Sequence, residues 1–159
     1  MSVGFEFSIH ECPARLNSEV AAVYPSTPTD DMLIVPTFQR STLDLVRMGE
    51  AIEAEKDRLL ERFVKFAVDV CEQLAQQGYW ADYIDPCSGL PMVHRSNTVY
   101  SEVEAASTLL KFQTANAGGC KVLLHPRWKT FVYPATMMAK CPRPALQEAI
   151  ENAVALFNA

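Results

Sequence analysis

The sequence lacks the motifs by which the common enzyme classes are recognised. It contains no glycine-rich phosphate loop, no Gly-x-Ser-x-Gly elbow, no His-Glu-x-x-His and no zinc-binding pattern. These absences argue against a familiar kinase, hydrolase or metalloenzyme.

Paired cysteines are also lacking. The five cysteines, Cys12, Cys71, Cys87, Cys120 and Cys141, are odd in number, widely spaced, and form no Cys-x-x-Cys pair. We therefore expect neither a disulfide framework nor a zinc site, and a reducing compartment such as the cytosol fits best.

Basic clusters and long apolar runs are missing as well. With a net charge of -5 and no basic run, no nucleic-acid or anionic-membrane surface is expected. No apolar run reaches the length of a membrane span, and residues 1–6 resemble neither a secretory signal nor an Arg-rich leader. The chain of 159 residues is predicted to form one domain, 1–159, in the cytoplasm, without an N-terminal leader.

A long helix is the strongest structural signal. Apolar residues recur at steps of three and four between residues 51 and 77, and they are Ile52, Leu59, Leu60, Phe63, Phe66, Ala67, Val70, Cys71 and Leu74. Charged residues, Glu55 and the Glu61/Lys65 pair among them, are predicted to form the solvent face. Gly78 is a typical helix stop, and it is followed by an aromatic strand and a tight turn at residues 85–89.

The remaining chain is divided into shorter elements. Strands are predicted at 5–9, at 32–35 with Pro36 as its limit, at 97–100, and at 120–125 paired as a hairpin with 129–137. Helices are predicted from Pro13 through Val23, at 102–112 and after Pro142, while 37–49 is a connection and 113–119 a flexible loop. The fold class is therefore α+β, with a mainly antiparallel sheet packed on the long helix.

Cys120 is the residue that attracts a reactive interpretation. The preceding glycines would expose its thiol, and Lys121 would favour the thiolate, whereas the plainer alternative is a half-buried strand cysteine. A Cys120/His125 dyad would need a bulge, because residues an odd number apart on a strand point to opposite faces. His125 is expected to be a surface or hydrogen-bonded histidine.

Other polar candidates have structural explanations. Asp85 fits the turn beside Pro86, and Asp82 would be hydrogen-bonded if its strand face is covered. Cys87 is expected to be an exposed thiol at the loop tip without special activation. His10 and Cys12 lack further ligands for a metal site.

Two motifs carry a family resemblance. They are Gly78-Tyr79-Trp80-Ala81-Asp82-Tyr83-Ile84-Asp85-Pro86-Cys87-Ser88-Gly89-Leu90 and Gly118-Gly119-Cys120-Lys121-Val122, the second followed by Trp128. Together they resemble the C-terminal domain of the cobalamin-trafficking CblD (MMADHC) family. Weaker similarity covers most of the rest of the chain.

The resemblance implies a fold similar to flavin-dependent nitroreductases, with flavin binding and catalysis lost. It implies a non-enzymatic adaptor that binds no cofactor alone and that engages a cobalamin-loaded CblC (MMACHC)-like partner, assisting delivery to methionine synthase. A cysteine thiolate of this family can coordinate cobalt, and the region that corresponds to the partner surface contains Asn116, Gly118, Gly119 and Lys121.

The chain departs from the family at the coordinating position. The family has Gly-Cys-Cys-Lys, and its coordinating cysteine falls on Gly119 here. Either Cys120 substitutes for it through the flexibility of the glycines, or this homologue works without a protein thiolate on cobalt.

Two other functions compete with the adaptor. A flavin-dependent reductase would follow from the implied fold, although no cluster of Arg, Lys and Ser suited to a flavin phosphate stands out in the sequence. A redox-responsive thiol protein would use Cys120 and Cys87.

Overall fold

Seven strands and four helices are found in residues 4–158, the part of the chain that the computed structural model describes. The strands are β1 (Phe5–Phe7), β2 (His10–Glu11), β3 (Leu33–Arg40), β4 (Trp80–Tyr83), β5 (Gln113–Ala117), β6 (Cys120–Leu124) and β7 (Val132–Lys140). The helices are α1 (Asn17–Val23), α2 (Glu50–Gln76), α3 (Glu102–Leu110) and α4 (Arg143–Ala155), with 3-10 turns at Ala14–Leu16 and Leu156–Asn158. Residues 1–3 and 159 of the predicted domain lie outside the described residues, and residues 1–3 are half of the stretch 1–6 on which the expectation of no leader rests.

The main sheet is antiparallel and has five strands. Its order is β1-β3-β7-β4, and β2 pairs with β3 beside β1. β3 and β7 pair along eight positions, from Leu33 opposite Ala139 to Arg40 opposite Val132. The two central strands are therefore the longest. This sheet with its helices confirms the α+β class.

β3 extends through Pro36, so the prediction that this proline limits the strand is wrong, as is the assignment of residues 37–40 to a connection. β1 and β2 pair with β3 in one register, and the gap between them lies opposite Pro36. The Ser8 amide donates to the Pro36 carbonyl at 3.3 Å, but proline has no N–H to return the bond. The proline thus interrupts the edge strand and leaves β3 intact.

Both faces of the sheet are covered by helices. α2 and α4 pack on one face, against a buried set that includes Val35 of β3 and Met137 of β7. α1 and the start of α3 pack on the other face, against Ile34 and Met138. Successive residues of each central strand therefore enter different cores, which explains the continuous apolar run at 32–35.

α2 begins and ends within one residue of the predicted limits. Its C-terminus has the hydrogen bonds of a Schellman motif, from the Gly78 amide to the Ala75 carbonyl (2.9 Å) and from the Tyr79 amide to the Leu74 carbonyl (3.0 Å). Gly78 has a φ of 82°, so it supplies the left-handed residue that this motif requires. The predicted Glu61–Lys65 ion pair is confirmed at 3.2 Å.

Glu55 was predicted on the solvent face, and this is wrong, since it is 8% exposed. One carboxylate oxygen accepts hydrogen bonds from the Ser41 hydroxyl (3.0 Å) and the Thr42 amide (3.1 Å), while the other pairs with Arg58 at 2.8 Å. Glu55 therefore links the segment after β3 to α2. This role depends on tertiary contacts, which the helical periodicity of the sequence does not show.

Three other local predictions fail. Residues 97–100 form no strand, because the only sheet-like contact there is the Tyr100 amide to the Gly89 carbonyl. Residues 113–117 are strand β5 and not a flexible loop. β7 pairs with β3 and β4 and not with β6, so only a single bridge, His125 to Lys129, remains of the predicted hairpin.

Among residues 4–158, no helix combines the length and apolar character needed to cross a bilayer.

Candidate functional site

The five residues singled out from the sequence lie in one hairpin, formed by β5 and β6. These strands make a separate two-stranded sheet in which Ala117 is opposite Cys120 and Asn116 is opposite Lys121. Gly118 and Gly119 form the turn, with φ of 58° and 84°. A two-residue type I′ hairpin turn requires φ above zero at both central positions, so this pair of glycines selects the hairpin and its register.

The two faces of the hairpin have different surroundings. Leu123 is 4% exposed and packs in a small core with Phe38, Ala106 and Val132, so its face is turned towards the body of the protein. Side chains alternate along a strand, and Cys120 therefore lies on the opposite, outer face. Cys120 is exposed, and the prediction of a half-buried cysteine is wrong for this position.

An ion pair connects the hairpin to α3. The Lys121 ammonium lies 2.7 Å from a Glu104 carboxylate oxygen, with both side chains about half exposed. Glu104 is in the first turn of α3, where the Ser101 hydroxyl caps the helix by accepting the Glu104 amide at 3.4 Å. The Lys121 ammonium thus pairs with Glu104 on the face of the hairpin away from Cys120.

The cysteines differ in exposure and in acidity. All five are free, and only Cys87 and Cys120 are exposed. Burial raises the pKa of the Cys12 and Cys141 thiols, and burial together with Asp82 raises the pKa of Cys71 to about 12. For Cys87, partial burial and then the Asp85 carboxylate raise the pKa. These four thiols are therefore weakened as thiolate donors, in agreement with the expectation that Cys87 is not activated.

His125 is not a partner of Cys120. It is 2% exposed, its Nε2 lies 2.8 Å from a Glu6 carboxylate oxygen, and its Nδ1 accepts the amides of Arg127 and Trp128, each at 3.1 Å. Burial lowers the pKa of His125, which keeps the imidazole neutral. The expectation of a hydrogen-bonded histidine is confirmed, and the alternative of a surface one is wrong.

The remaining polar candidates are structural. Asp82 is fully buried and accepts the amides of Tyr83 (2.6 Å), Val93 (2.8 Å) and His94 (3.0 Å). Asp85 accepts the Cys87 amide and the Ser88 hydroxyl in the predicted turn. No group of three or more potential metal ligands forms within residues 4–158.

An apolar cavity of about 190 Å³ lies beside the hairpin. It follows the part of β7 that β4 leaves unpaired, at Val132 to Pro134, and its other walls include Leu45, Val103 and Val122. The cavity places an apolar recess next to the predicted partner-facing residues.

Sequence reasoning missed the groups that come together from distant segments. Glu104 carried no signal as the partner of Lys121. Arg40, Arg127 and Lys129 line one groove, although no basic cluster is visible along the chain. The only hint was the sequence Arg127-Trp128-Lys129, which places two of these cations around a tryptophan.

Comparison with known proteins gives one consistent result. A family model described as "Methylmalonic aciduria and homocystinuria type D protein" (MMADHC) matches residues 2–150. The proteins named "Cobalamin trafficking protein CblD" of Rattus norvegicus and Homo sapiens are each 33% identical over 133 residues, covering 82% of this chain and 45% of the relative. The Gallus gallus protein of the same name is 30% identical over 129 residues, or 80% of this chain and 43% of the relative. The chain thus spans less than half the length of these relatives.

Proposed function

The chain belongs to the MMADHC family, and from this premise we propose that it is a non-enzymatic adaptor in intracellular cobalamin trafficking. It docks on a CblC (MMACHC)-like cobalamin-processing protein in the cytoplasm and assists delivery of cobalamin towards methionine synthase. Its relatives are named for cobalamin trafficking, which supports the cargo. Alone it binds no cofactor, and the cobalamin is held in the complex.

The observation that carries this proposal is the placement of Cys120. Its thiol is exposed on the outer face of a hairpin tip, directly after two glycines. Thiolate is a soft ligand, so on losing its proton the Cys120 sulfur can donate to the cobalt of a cobalamin held by the partner. The sulfur would take the place of an exchangeable ligand of the cobalt, such as water, while the thiol proton passes to solvent, and the adaptor would act as a metallochaperone by presenting this ligand.

The hairpin geometry favours Cys120 over a mechanism without a protein thiolate. Gly119 occupies a left-handed turn position with a φ of 84°, which side chains rarely adopt. A cysteine at that position would be strained, whereas Cys120 is the first residue of β6. Consecutive Cα atoms are about 3.8 Å apart, so Cys120 is the thiol nearest to the position that the family uses.

The proposed docking surface is the tip of the hairpin. A Cβ atom built on Gly118 or Gly119 would meet nothing within 4 Å, so the tip backbone is open to an approaching partner. Asn116 is exposed beside it, and Lys121 is held by Glu104. We infer that these four residues contact the partner around Cys120.

The proposed ancestry is nitroreductase-like, with the flavin site lost. An antiparallel sheet covered by helices on both faces supports this. The competing function, a flavin-dependent reductase, predicts that the purified chain is yellow or takes up added flavin. A colourless chain that takes up none would exclude it.

The test is to mix the purified chain with a cobalamin-loaded CblC-like protein. We expect co-elution in gel filtration and a shift of the cobalt absorption bands. Cys120→Ser should keep co-elution and abolish the shift, whereas Cys87→Ser, which removes the other exposed thiol, should change neither. Absence of co-elution would refute the adaptor, and an unchanged shift in Cys120→Ser would refute the thiolate ligand.

A further inference from the structure

A groove of about 680 Å³ lies at the end of the sheet where β3 meets the loop between β6 and β7. Its charged lining residues are Arg40, Arg127 and Lys129, and none of its lining residues is acidic. The whole chain carries a net charge of -5, so this concentration of cations does not reflect the composition. The groove is therefore a locally electropositive site on an acidic protein.

Most of this positive charge is uncompensated. Arg127 forms an ion pair with Glu6, whose carboxylate also contacts the neutral His125. Among residues 4–158, the side chains of Arg40 and Lys129 have no ion pair or hydrogen bond. Glu55, which accepts hydrogen bonds from the lining residues Ser41 and Thr42, is itself paired with Arg58. Three cations against the carboxylate of Glu6 therefore leave an excess of two positive charges at the groove.

The loop between β6 and β7, which carries Arg127 and Lys129, is held in place by contacts with the buried His125. The His125 amide donates to the Lys129 carbonyl at 3.0 Å, and the Lys129 amide donates back at 2.9 Å. The buried His125 ring stacks on Trp128, with centroids 4.2 Å apart and planes at 11°, and the Arg127 guanidinium lies 5.4 Å from the Trp128 ring centre. Little of the loop therefore has to be ordered when a ligand binds.

The groove also has an apolar wall. Trp128 is half-buried and Phe131 is 41% exposed, and both line it. Guanidinium groups match phosphate and carboxylate oxygens in geometry and charge, and aromatic rings offer area to a flat apolar group. The nearby Ser41 and Thr42 hydroxyls already donate to Glu55, so the cations are the groups left for a ligand.

We propose that this groove binds a small organic anion, a phosphate monoester or carboxylate attached to a planar apolar group. Arg40 and Lys129 contact the anionic group, and the exposed Phe131 ring contacts the apolar group, beside the edge of the Trp128 ring, whose faces are occupied by His125 and Arg127. The site is distinct from the Cys120 hairpin tip, because β6 separates Cys120 from His125 by five residues, or about 17 Å of extended strand. It does not depend on cobalamin trafficking.

The test uses NMR titration of the whole chain with phenyl phosphate and, separately, benzoate. The chain has two tryptophans, so the indole N–H signal of Trp128 reports binding and that of Trp80 is an internal control. We expect Trp128 alone to shift, with an affinity that falls as salt is added. The tighter of the two probes identifies the anionic group.

The decisive variant is Arg40→Gln with Lys129→Gln. Its matched control, Arg15→Gln with Lys111→Gln, removes the same charge from outside the groove, and Lys111 shares the positive φ of Lys129 (61° and 52°). We expect the first variant to bind at least about tenfold more weakly, because it loses one or two charge-assisted hydrogen bonds to the ligand. The control should bind as the parent does. The proposal is overturned if neither probe shifts Trp128, if both double variants bind as the parent does, or if only an acidic peptide or a nucleic acid binds.

Discussion

The Lys121 ammonium and the Glu104 carboxylate are 2.7 Å apart, and they join the Cys120 hairpin to α3. An ion pair this exposed contributes less than about 1 kcal/mol to the free energy of unfolding. Its effect should instead be local, because it restrains the end of β6 that carries the thiol.

We therefore expect Glu104→Gln to leave the unfolding free energy within about 1 kcal/mol of the parent but to speed hydrogen exchange of the β5 and β6 amides. Hydrogen-exchange mass spectrometry checks this. Glu61→Gln, which breaks the exposed Glu61–Lys65 pair in α2, is the control and should leave the hairpin unchanged. Equal exchange in all three proteins would contradict the restraint.

Glycines with the same backbone conformation should respond differently to alanine. Gly119 has a φ of 84° and open space at its Cβ position, so Gly119→Ala should cost about 1 kcal/mol, the strain alone. At Gly89, with a φ of 74°, an ideal Cβ would lie 2.7 Å from Val99 Cγ1 and 3.3 Å from the Tyr100 carbonyl oxygen. Gly89→Ala should therefore cost more, about 2–4 kcal/mol. Urea unfolding of the two variants gives the order, and a reversed order would contradict the close approach at Gly89.

Helix α2 was predictable because its information is local. Its apolar period, its charged pair and the stop at Gly78 all lie within one segment. The hairpin β5–β6 was missed because Ala115, Asn116 and Ala117 have weak strand character and become a strand only by pairing with β6, although the Gly118-Gly119 pair is itself a hairpin-turn signal. The choice of partners for β7 was equally non-local, since an apolar run does not say which strands will flank it.

The sequence predicted which residues form the candidate site but not what surrounds them. Cys120 and its neighbours are contiguous in sequence, so a motif that identifies one of them identifies the others. The contact of Lys121 with Glu104 spans seventeen residues, and the Glu6 contact of His125 spans more than a hundred. Such contacts follow from topology, which sequence period does not reveal.

Asp82 is expected to be among the residues on which stability depends most. Asp82→Ala would remove a fully buried carboxylate and leave the amides of Tyr83, Val93 and His94 without their acceptor, and we expect a loss of about 3 kcal/mol in urea unfolding. Asp85→Ala, which removes the acceptor of an exposed turn, should cost only about 1 kcal/mol. Equal losses would show that the Asp82 carboxylate is not what holds residues 92–94.

Glu55 should contribute to acid sensitivity. Its hydrogen bond from Arg58, and those from Thr42 and Ser41, lower its pKa from 4.5 to about 2 in the folded state, although burial opposes this. The folded state therefore binds fewer protons than the unfolded state between these values, and the stabilisation is lost as pH falls from about 4.5 towards 2. Glu55→Gln should flatten this part of the stability curve. Thermal unfolding across the acid range checks it, and a parent-like slope in the variant would contradict it.

Glu102 should have the opposite effect to Glu55 on how stability depends on pH. Burial first, and the Asp85 charge second, raise the pKa of this carboxyl well above 4.5, against the Thr136 amide, which lowers it. Its Oε1 is buried and has no hydrogen-bond partner within residues 4–158. The folded state therefore holds a proton that the unfolded chain has already released, so stability falls as pH rises above about 4.5.

Glu102→Gln keeps the size of this side chain and removes its titration. We expect the variant to lose stability less steeply than the parent as pH rises from about 4.5 to neutral, and to be the more stable of the two at neutral pH. Glu104→Gln, two residues along the same helix and exposed, is the control and should follow the parent. Urea unfolding at a series of pH values measures all three. If Glu102→Gln tracks the parent at every pH, the carboxyl at the start of α3 titrates as it would in the unfolded chain, and its burial has no consequence for folding.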